Sequence, residues 1–234
     1  MNRGSILMIL GLGLIAPGII HRGWFLLMIW LGINFLVLGI AHIKGAHRVF
    51  GKRPDGTLPV WSWIFFLPLL LYTSGVWHLS RFLSREPAQN KVTDDLLIGR
   101  RLLPREIDGQ FANYVDLTAE FQEPSTLRHL PAYHNFPILD GSALDPESLK
   151  TMLARLRPGR TFIHCAQGHG RTGLFTLALM LKSGAVSSVS DGLQKLQSIR
   201  PRVRLSSAQR ECIEQFAGRG DRGGECRKSC AGGA

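Results

Sequence analysis

Ten consecutive residues carry the types and spacing that could do chemistry: His164-Cys165-Ala166-Gln167-Gly168-His169-Gly170-Arg171-Thr172-Gly173. They follow an apolar β-type run, Thr161-Phe162-Ile163, and precede an apolar helical run from Leu174 to Leu181. A helix starting near Gly170 leaves its first N–H groups without intrahelical partners, and these, with the helix dipole, favour an anion. Gly168, Gly170 and Gly173 let the loop turn tightly and bring backbone close to a ligand. The N–H groups of Ala166, Gln167, Gly168, His169 and Gly170 can then converge on phosphate oxygens. Arg171 adds a planar fork that binds two such oxygens at once. Cys165 belongs at the base of this cradle. Its thiolate is the nucleophile, and a free thiol pKa of about 8.5 falls beside a helix N-terminus and a guanidinium. The site that binds phosphate therefore also activates the nucleophile. His164 is expected to steady the loop backbone or the thiolate environment, and Thr172 to donate its hydroxyl to the departing thiolate. A lone cysteine after a strand is usually a small buried hydrophobe. The added arginine, glycines and flanking runs argue against that reading here.

The elements that must position this loop follow from periodicity and breakers. Strands are predicted near 96–99, 112–117, 132–138 and 161–165, and helices near 145–156, 171–183, 187–199 and 206–217. Their alternation predicts an α/β fold, a central, mainly parallel sheet flanked by helices. The expected boundaries are a membrane region at 1–83, a linker at 84–91, a catalytic domain at 92–217 and a disordered, Gly- and Arg-rich tail at 218–234. Cys226 and Cys230 in that tail lack companion ligands, so a metal site there is a weak case. Cys212 reads as core.

The motif resembles the signature of the cysteine-dependent protein tyrosine phosphatase superfamily, in its dual-specificity-like branch. The pattern His-Cys-x5-Arg-(Ser/Thr)-Gly is met at every fixed position by His164, Cys165, Arg171, Thr172 and Gly173. Leu96-Leu97-Ile98-Gly99 resembles the first strand of that fold, and Tyr114-Val115-Asp116-Leu117-Thr118 the next core strand. Arg200-Pro201-Arg202-Val203 with Gln209 resembles its C-terminal segment. The resemblance covers about 92–217 and implies a phosphomonoester hydrolase working through a cysteinyl-phosphate. It also implies an aspartic acid on a loop before the cysteine, because an alkoxide or phenoxide leaves poorly unless protonated. Asp140 and Asp145 are the candidates. Asp140 ends the run Phe136-Pro137-Ile138-Leu139 and is preferred, while Asp145 before Pro146-Glu147 reads as a helix N-cap. No metal or cofactor is expected, since the loop itself neutralises the phosphate charge.

The first third of the chain is apolar. Three runs stand out, Ile6 to Ile20, Trp24 to Ile43 and Val60 to Leu79. About twenty apolar residues span a hydrocarbon core of roughly 30 Å. Two to three transmembrane helices are therefore expected, with the second and third runs the stronger candidates and the first two able to form a hairpin. A signal peptide is not followed by two more such runs. Orientation is contradictory. Lys44, Arg48, Lys52 and Arg53 precede the third run while Arg81, Arg85 and Lys91 follow it, on opposite sides if that run spans. The persistence of a catalytic thiolate in a reducing compartment favours a cytoplasmic catalytic domain on an inner or plasma membrane.

The net charge of +11 does not indicate nucleic acid, because residues 1–90 hold 8 Lys+Arg against 2 Asp+Glu and residues 91–234 hold 20 against 15. Basic residues bordering apolar runs suit anionic lipid headgroups instead. The partner is expected to be a phosphorylated lipid or a membrane-associated phosphoprotein, with the lipid preferred. Relatives that act on phosphoinositides often carry lysines in the loop, and this loop has none. His169 either adds partial charge at low pH or merely caps the helix or faces solvent. A catalytically inactive phosphate-binding module is the remaining alternative. The sequence does not speak to oligomeric state.

Overall fold

The computed structural model describes the backbone of residues 3–21, 23–107 and 109–229, and side chains as far as Gly218. The chain forms two units. One comprises Met1–Arg85, Thr118–Leu130 and Pro137–Leu139, the other Glu86–Leu117, Pro131–Phe136 and Asp140–Ala234.

The first unit opens with α1 (Arg3–His21), a short 3-10 turn (Gly23–Phe25) and α2 (Leu26–Lys44). The two helices form the expected hairpin. Gly11 lies against the Gly32 carbonyl, Gly18 against the Phe25 carbonyl and Gly39 against the Gly4 carbonyl, each leaving under 3 Å for a Cβ. Gly4, Gly11 and Gly18 recur every seven residues on one face, as Gly32 and Gly39 do on the other. Small residues at such an interface let two helix backbones approach closely. Among the described residues, these are the two helices long and apolar enough to cross a membrane. Only 17% and 22% of their apolar stretches is buried, unlike the core helices of a soluble protein.

The third apolar run is not one long helix. It divides into α3 (Val60–Phe65) and α4 (Leu67–Leu83) at Phe66. Pro68 has no N–H to give and crowds the carbonyl four residues back, so the helix must restart there. The expectation that this run is a stronger span than the first is thereby corrected. Phe66, Leu69 and Leu70 pack with Ala41, Phe50, Leu58, Ala119 and Leu139, and α5 (Ser125–Arg128) completes the unit.

The second unit is built on a five-stranded sheet, β1 (Gln89–Thr93), β2 (Leu96–Arg100), β3 (Asn113–Thr118), β4 (Tyr133–Ile138) and β5 (Thr161–Cys165), in the order β1-β2-β5-β3-β4. β5 is central and parallel to both β2 and β3, while β1 runs antiparallel to β2. The sheet is thus mostly parallel, as expected. A strand covered on both faces reads as a continuous apolar run, and Phe162 and Ile163 are fully buried. The helices are α6 (Pro146–Ala154), α7 (Gly170–Lys182), α8 (Val189–Ile199) and α9 (Ser207–Ser229). Leu174, Phe175, Leu177 and Ala178 of α7 are fully buried, as befits a helix apolar on nearly every side.

Two sequence expectations differ. The expected linker 84–91 runs into β1, which the polar run Gln89-Asn90-Lys91 concealed. An edge strand can be polar, and only Val92 of β1 is buried. The helix α9 continues past 217 to Ser229, where a disordered tail was expected. Arg219, Arg222, Glu225, Arg227 and Lys228 are good helix formers, and extending a formed helix costs little. The Cys226 side chain and Cys230 fall outside what is described.

Candidate active site

Cys165 ends β5, between β2 and β3, and is buried. The chain then turns through 166–169 and enters α7 at Gly170. The turn needs glycine at 168, where φ is +75° and a Cβ would run into the Gly99 backbone. The Gly168 N–H donates to Cys165 Sγ at 3.3 Å.

The orientation of the other loop amides follows from where the carbonyls go. The Ala166 carbonyl accepts from Arg101 N–H at 3.3 Å. The Gln167 carbonyl accepts from Arg200 Nη2 at 2.9 Å. In a trans peptide the C=O and the following N–H point in opposite directions. With these carbonyls bound outside, the N–H groups of Gln167 and Gly168 face the inner side of the loop. The arrangement is a nest of donors for an anion, with a sulfur at its floor.

Arg171, in the first turn of α7, is 1% exposed, and its Nη2 lies 3.3 Å from Asp140 Oδ1, whose side chain is 73% exposed. Asp140, the candidate preferred as acid, is therefore brought to Arg171. Asp145 instead caps α6, accepting from Ser148 N–H at 2.9 Å. Hydrogen bonds from Ser148 hold its carboxyl below the usual range. Asp140 stands in a loop with Gly141 at φ +72°. Ser206 Oγ donates to the Gly141 carbonyl at 2.9 Å, and Gln209 Nε2 to the Ser142 carbonyl at 3.0 Å. Gln209, singled out by resemblance, thus acquires a physical task in fixing the acid loop.

His164 is buried, stacked on Phe162 at 5.6 Å and 5.0 Å from the Tyr114 ring, with Nδ1 3.4 Å from the Cys165 carbonyl. Its ring thus lies against the backbone at Cys165. Thr172 Oγ1 is buried and has no hydrogen-bond partner among the described residues. A hydroxyl left so inside a protein is costly, and is suited to a partner that appears during turnover.

His169, expected to add charge at low pH or else to cap the helix or face solvent, is partly buried. It does not cap α7 with its side chain. Its Nε2 lies 2.8 Å from Glu86 Oε2. Burial holds the imidazole below its usual pKa despite the opposing pull of Glu86, so it is neutral at pH 7. For Glu86, burial pushes the pKa up, but the His169 hydrogen bond and the Arg200 charge outweigh it and leave the carboxylate lowered. Arg200, 2% exposed, also donates to the Pro87 carbonyl at 3.0 Å and Asn90 Oδ1 at 2.6 Å. Glu86, Arg101 and Ser206 were not foreseen as part of the site. No local pattern marks Glu86, which lies 83 residues from its partner.

No protein-family model matches the chain. A stretch of 57 residues, 24% of this chain, is 33% identical to the phosphatidylglycerophosphate phosphatase PTPMT2 of Arabidopsis thaliana. The match spans about a quarter of the length of that relative, 25%. Among solved structures, Tk-PTP in its active form superposes with a TM-score of 0.51 at 23% identity, covering 57% of this chain and 98% of Tk-PTP. A mutant form of Tk-PTP gives 0.50 at 25% identity, covering 57% and 96%. With Cys165 and Arg171 flanking a donor-lined turn between central strand and buried helix, the second unit has the fold of the cysteine-dependent tyrosine phosphatases such as Tk-PTP, and two apolar helices precede it in the chain.

Proposed function

We propose that the chain is a membrane-anchored phosphomonoester hydrolase acting on a lipid phosphate of the phosphatidylglycerol phosphate kind. The observation that carries the chemistry is the ion pair of Arg171 with Asp140 beside a loop whose Gly168 N–H donates to Cys165 Sγ. The loop amides and Arg171 hold the equatorial oxygens of the phosphoryl group. Cys165 Sγ, as thiolate, attacks phosphorus in line, so that the S–P bond forms as the bond to the leaving oxygen breaks. Asp140, protonated, gives its proton to that oxygen. A water molecule then attacks phosphorus while Asp140, now carboxylate, takes its proton. The S–P bond breaks, Sγ departs as thiolate stabilised by Thr172 Oγ1, and inorganic phosphate leaves.

Two observations support a lipid as substrate. The partial relative is a phosphatidylglycerophosphate phosphatase, and the chain begins with two apolar helices of bilayer length. A tether of this kind raises the effective concentration of a membrane substrate. The absence of lysine from positions 166–170 fits a headgroup carrying one phosphate monoester. The persistence of a thiolate in a reducing compartment supports a cytoplasmic catalytic unit.

The test is phosphate release by detergent-purified full-length protein, run beside Cys165→Ser. Phosphatidylglycerol phosphate in mixed micelles and a phosphotyrosine peptide serve as substrates. A much larger kcat/KM for the lipid, absent from the variant, supports the proposal. Preference for the peptide makes the chain an anchored protein phosphatase instead. No turnover of either leaves a phosphate-binding module.

A further inference from the structure

The broken third run has two faces of opposite character. Phe66, Leu69, Leu70 and Trp77 are buried within their own unit. The other side exposes Ile64, Leu71, Val76, Leu79 and Phe82, each at least 43% accessible. A contiguous apolar face of this kind is not left to water in a soluble protein. It is continuous in sequence with a helical hairpin of bilayer length, which points to lipid as what covers it.

The break itself says how deep the segment lies. A helix interruption frees carbonyls, and in hydrocarbon each must find a partner within the protein. Here the Phe65 carbonyl accepts from Trp30 Nε1 at 2.8 Å and from Asn34 Nδ2 at 2.9 Å. Both donors come from α2, and Asn34 is a fully buried polar residue in the otherwise apolar stretch Leu26–Ala41 of that helix. In water such a carbonyl would need neither. Asn34 precedes Lys44 by ten residues, about 15 Å along the helix axis. The break therefore lies well inside the span of α2, not at its end.

The segment nevertheless does not cross. Lys52 Nζ donates to the Thr118 carbonyl at 2.7 Å. Leu58 N–H donates to Gln122 Oε1 at 2.8 Å. The Trp77 ring lies 6.1 Å from that of Phe121. Residues before α3 and near the end of α4 thus hold one five-residue segment, 118–122. Five residues reach at most about 17 Å, and a hydrocarbon core is roughly 30 Å thick. Lys52 and Trp77 cannot stand on opposite sides of it.

We infer that residues 60–83 form a re-entrant wedge, α3 descending into one leaflet and α4 returning from it. The wedge rests on the membrane-anchored reading above and refines it. The first residues of α1, the connector 45–59 and the chain from Ser84 onward then share one side of the membrane. The contradictory charge pattern disappears. Arg3, Lys44, Arg48, Lys52, Arg53, Arg81 and Arg85 all lie on the catalytic side, against Arg22 alone between the two hairpin helices in sequence, which is the positive-inside pattern. The Arg81 guanidinium, 5.6 Å from the Trp77 ring centre, sits where an interfacial cation–π pair is expected.

Single cysteines test this in the full-length protein reconstituted in sealed vesicles. The background carries Cys226→Ser and Cys230→Ser, leaving the buried Cys165 and Cys212. Pro54→Cys, Arg85→Cys and His21→Cys are each labelled with a membrane-impermeant maleimide added to one side. Hydrolysis of a water-soluble phosphate ester confirms that each variant has folded. Pro54→Cys and Arg85→Cys should label from the same side and His21→Cys from the other. Labelling of Pro54→Cys and Arg85→Cys from opposite sides would make the segment a third span and overturn the wedge. Labelling of all three from one side would overturn the wedge and the spanning hairpin together, while soluble-ester turnover would still report on the proposed chemistry.

Discussion

Glycine shapes both the hairpin and the phosphate loop, for different reasons. Gly11 and Gly32 face each other across α1 and α2, where a Cβ on either would lie 2.7 Å from the other's carbonyl oxygen. What they supply is the absence of a side chain. Gly168 supplies that too, since its missing Cβ makes room for the Gly99 backbone, but it also holds φ at +75°. A substitution in the hairpin asks a neighbouring helix to move. A substitution at 168 asks the loop to change its own path. The first is a matter of distance between elements, the second of whether the amides converge at all.

Removing the proposed nucleophile is expected to give the largest effect. Cys165→Ser should lower kcat/KM by at least about 10³-fold on any phosphate ester, because a serine hydroxyl in this cradle has no base to activate it. The change leaves the hairpin sequence untouched, so under the membrane-anchored proposal parent and variant should partition alike between membrane and soluble fractions. Loss of turnover together with loss of membrane retention would mean that the two units are not separable in this way.

Gly168→Ala comes next. A left-handed conformation costs an alanine about 1–2 kcal/mol, and the Gly99 backbone cannot yield as a side chain could. The loop must open, carrying the Gly168 N–H away from Sγ. A fall in kcat/KM of about 100-fold is expected, the scale of a small misplacement at a reacting centre. Gly32→Leu provides the contrast. It should separate α1 from α2 and raise protease sensitivity of the hairpin, while turnover of a soluble ester stays within about twofold. A large loss of soluble-ester turnover in Gly32→Leu would tie the hairpin to the chemistry and dissolve the contrast.

The same contrast explains what could be read in the sequence. The candidate phosphate loop is legible because its physics is local. Cys165, Arg171, Thr172 and the glycines are consecutive, and a strand and a helix flank them. The hairpin was legible from length and apolarity. What escaped depends on partners far apart in the chain. Polar β1 is a strand only because β2 offers it an edge. Asn34 is a polar residue within an apolar run, and its partner appears only once the third run breaks at Phe66 and frees the Phe65 carbonyl. Asp140 could be preferred over Asp145 by its loop, but only the fold shows Arg171 beside one and α6 capped by the other.

The smallest expected effect sits at the rim of the loop, where Glu86 holds His169. Burial lowers the His169 pKa from 6.5, while the hydrogen bond and charge of Glu86 pull it upward. A histidine whose folded pKa is depressed contributes stability that is fully present above its unfolded value and lost as pH falls through the folded one. The lowered Glu86 carboxyl adds a second loss in the same direction, from its reference value of 4.5 downward. The parent should therefore lose Tm as pH falls below about 6.5. In Glu86→Gln the upward pull on His169 is gone, so its pKa drops further and the decline between pH 6.5 and 5 should steepen. Soluble-ester kcat should change by only a few-fold at pH 7, because the neutral imidazole keeps a hydrogen-bonding partner in the glutamine and Arg200 still holds the Gln167 carbonyl. Identical Tm profiles for parent and variant across pH 5–7.5 would show that the Glu86 contact does not govern His169, leaving Arg200 and the Gly168 turn to set the loop alone.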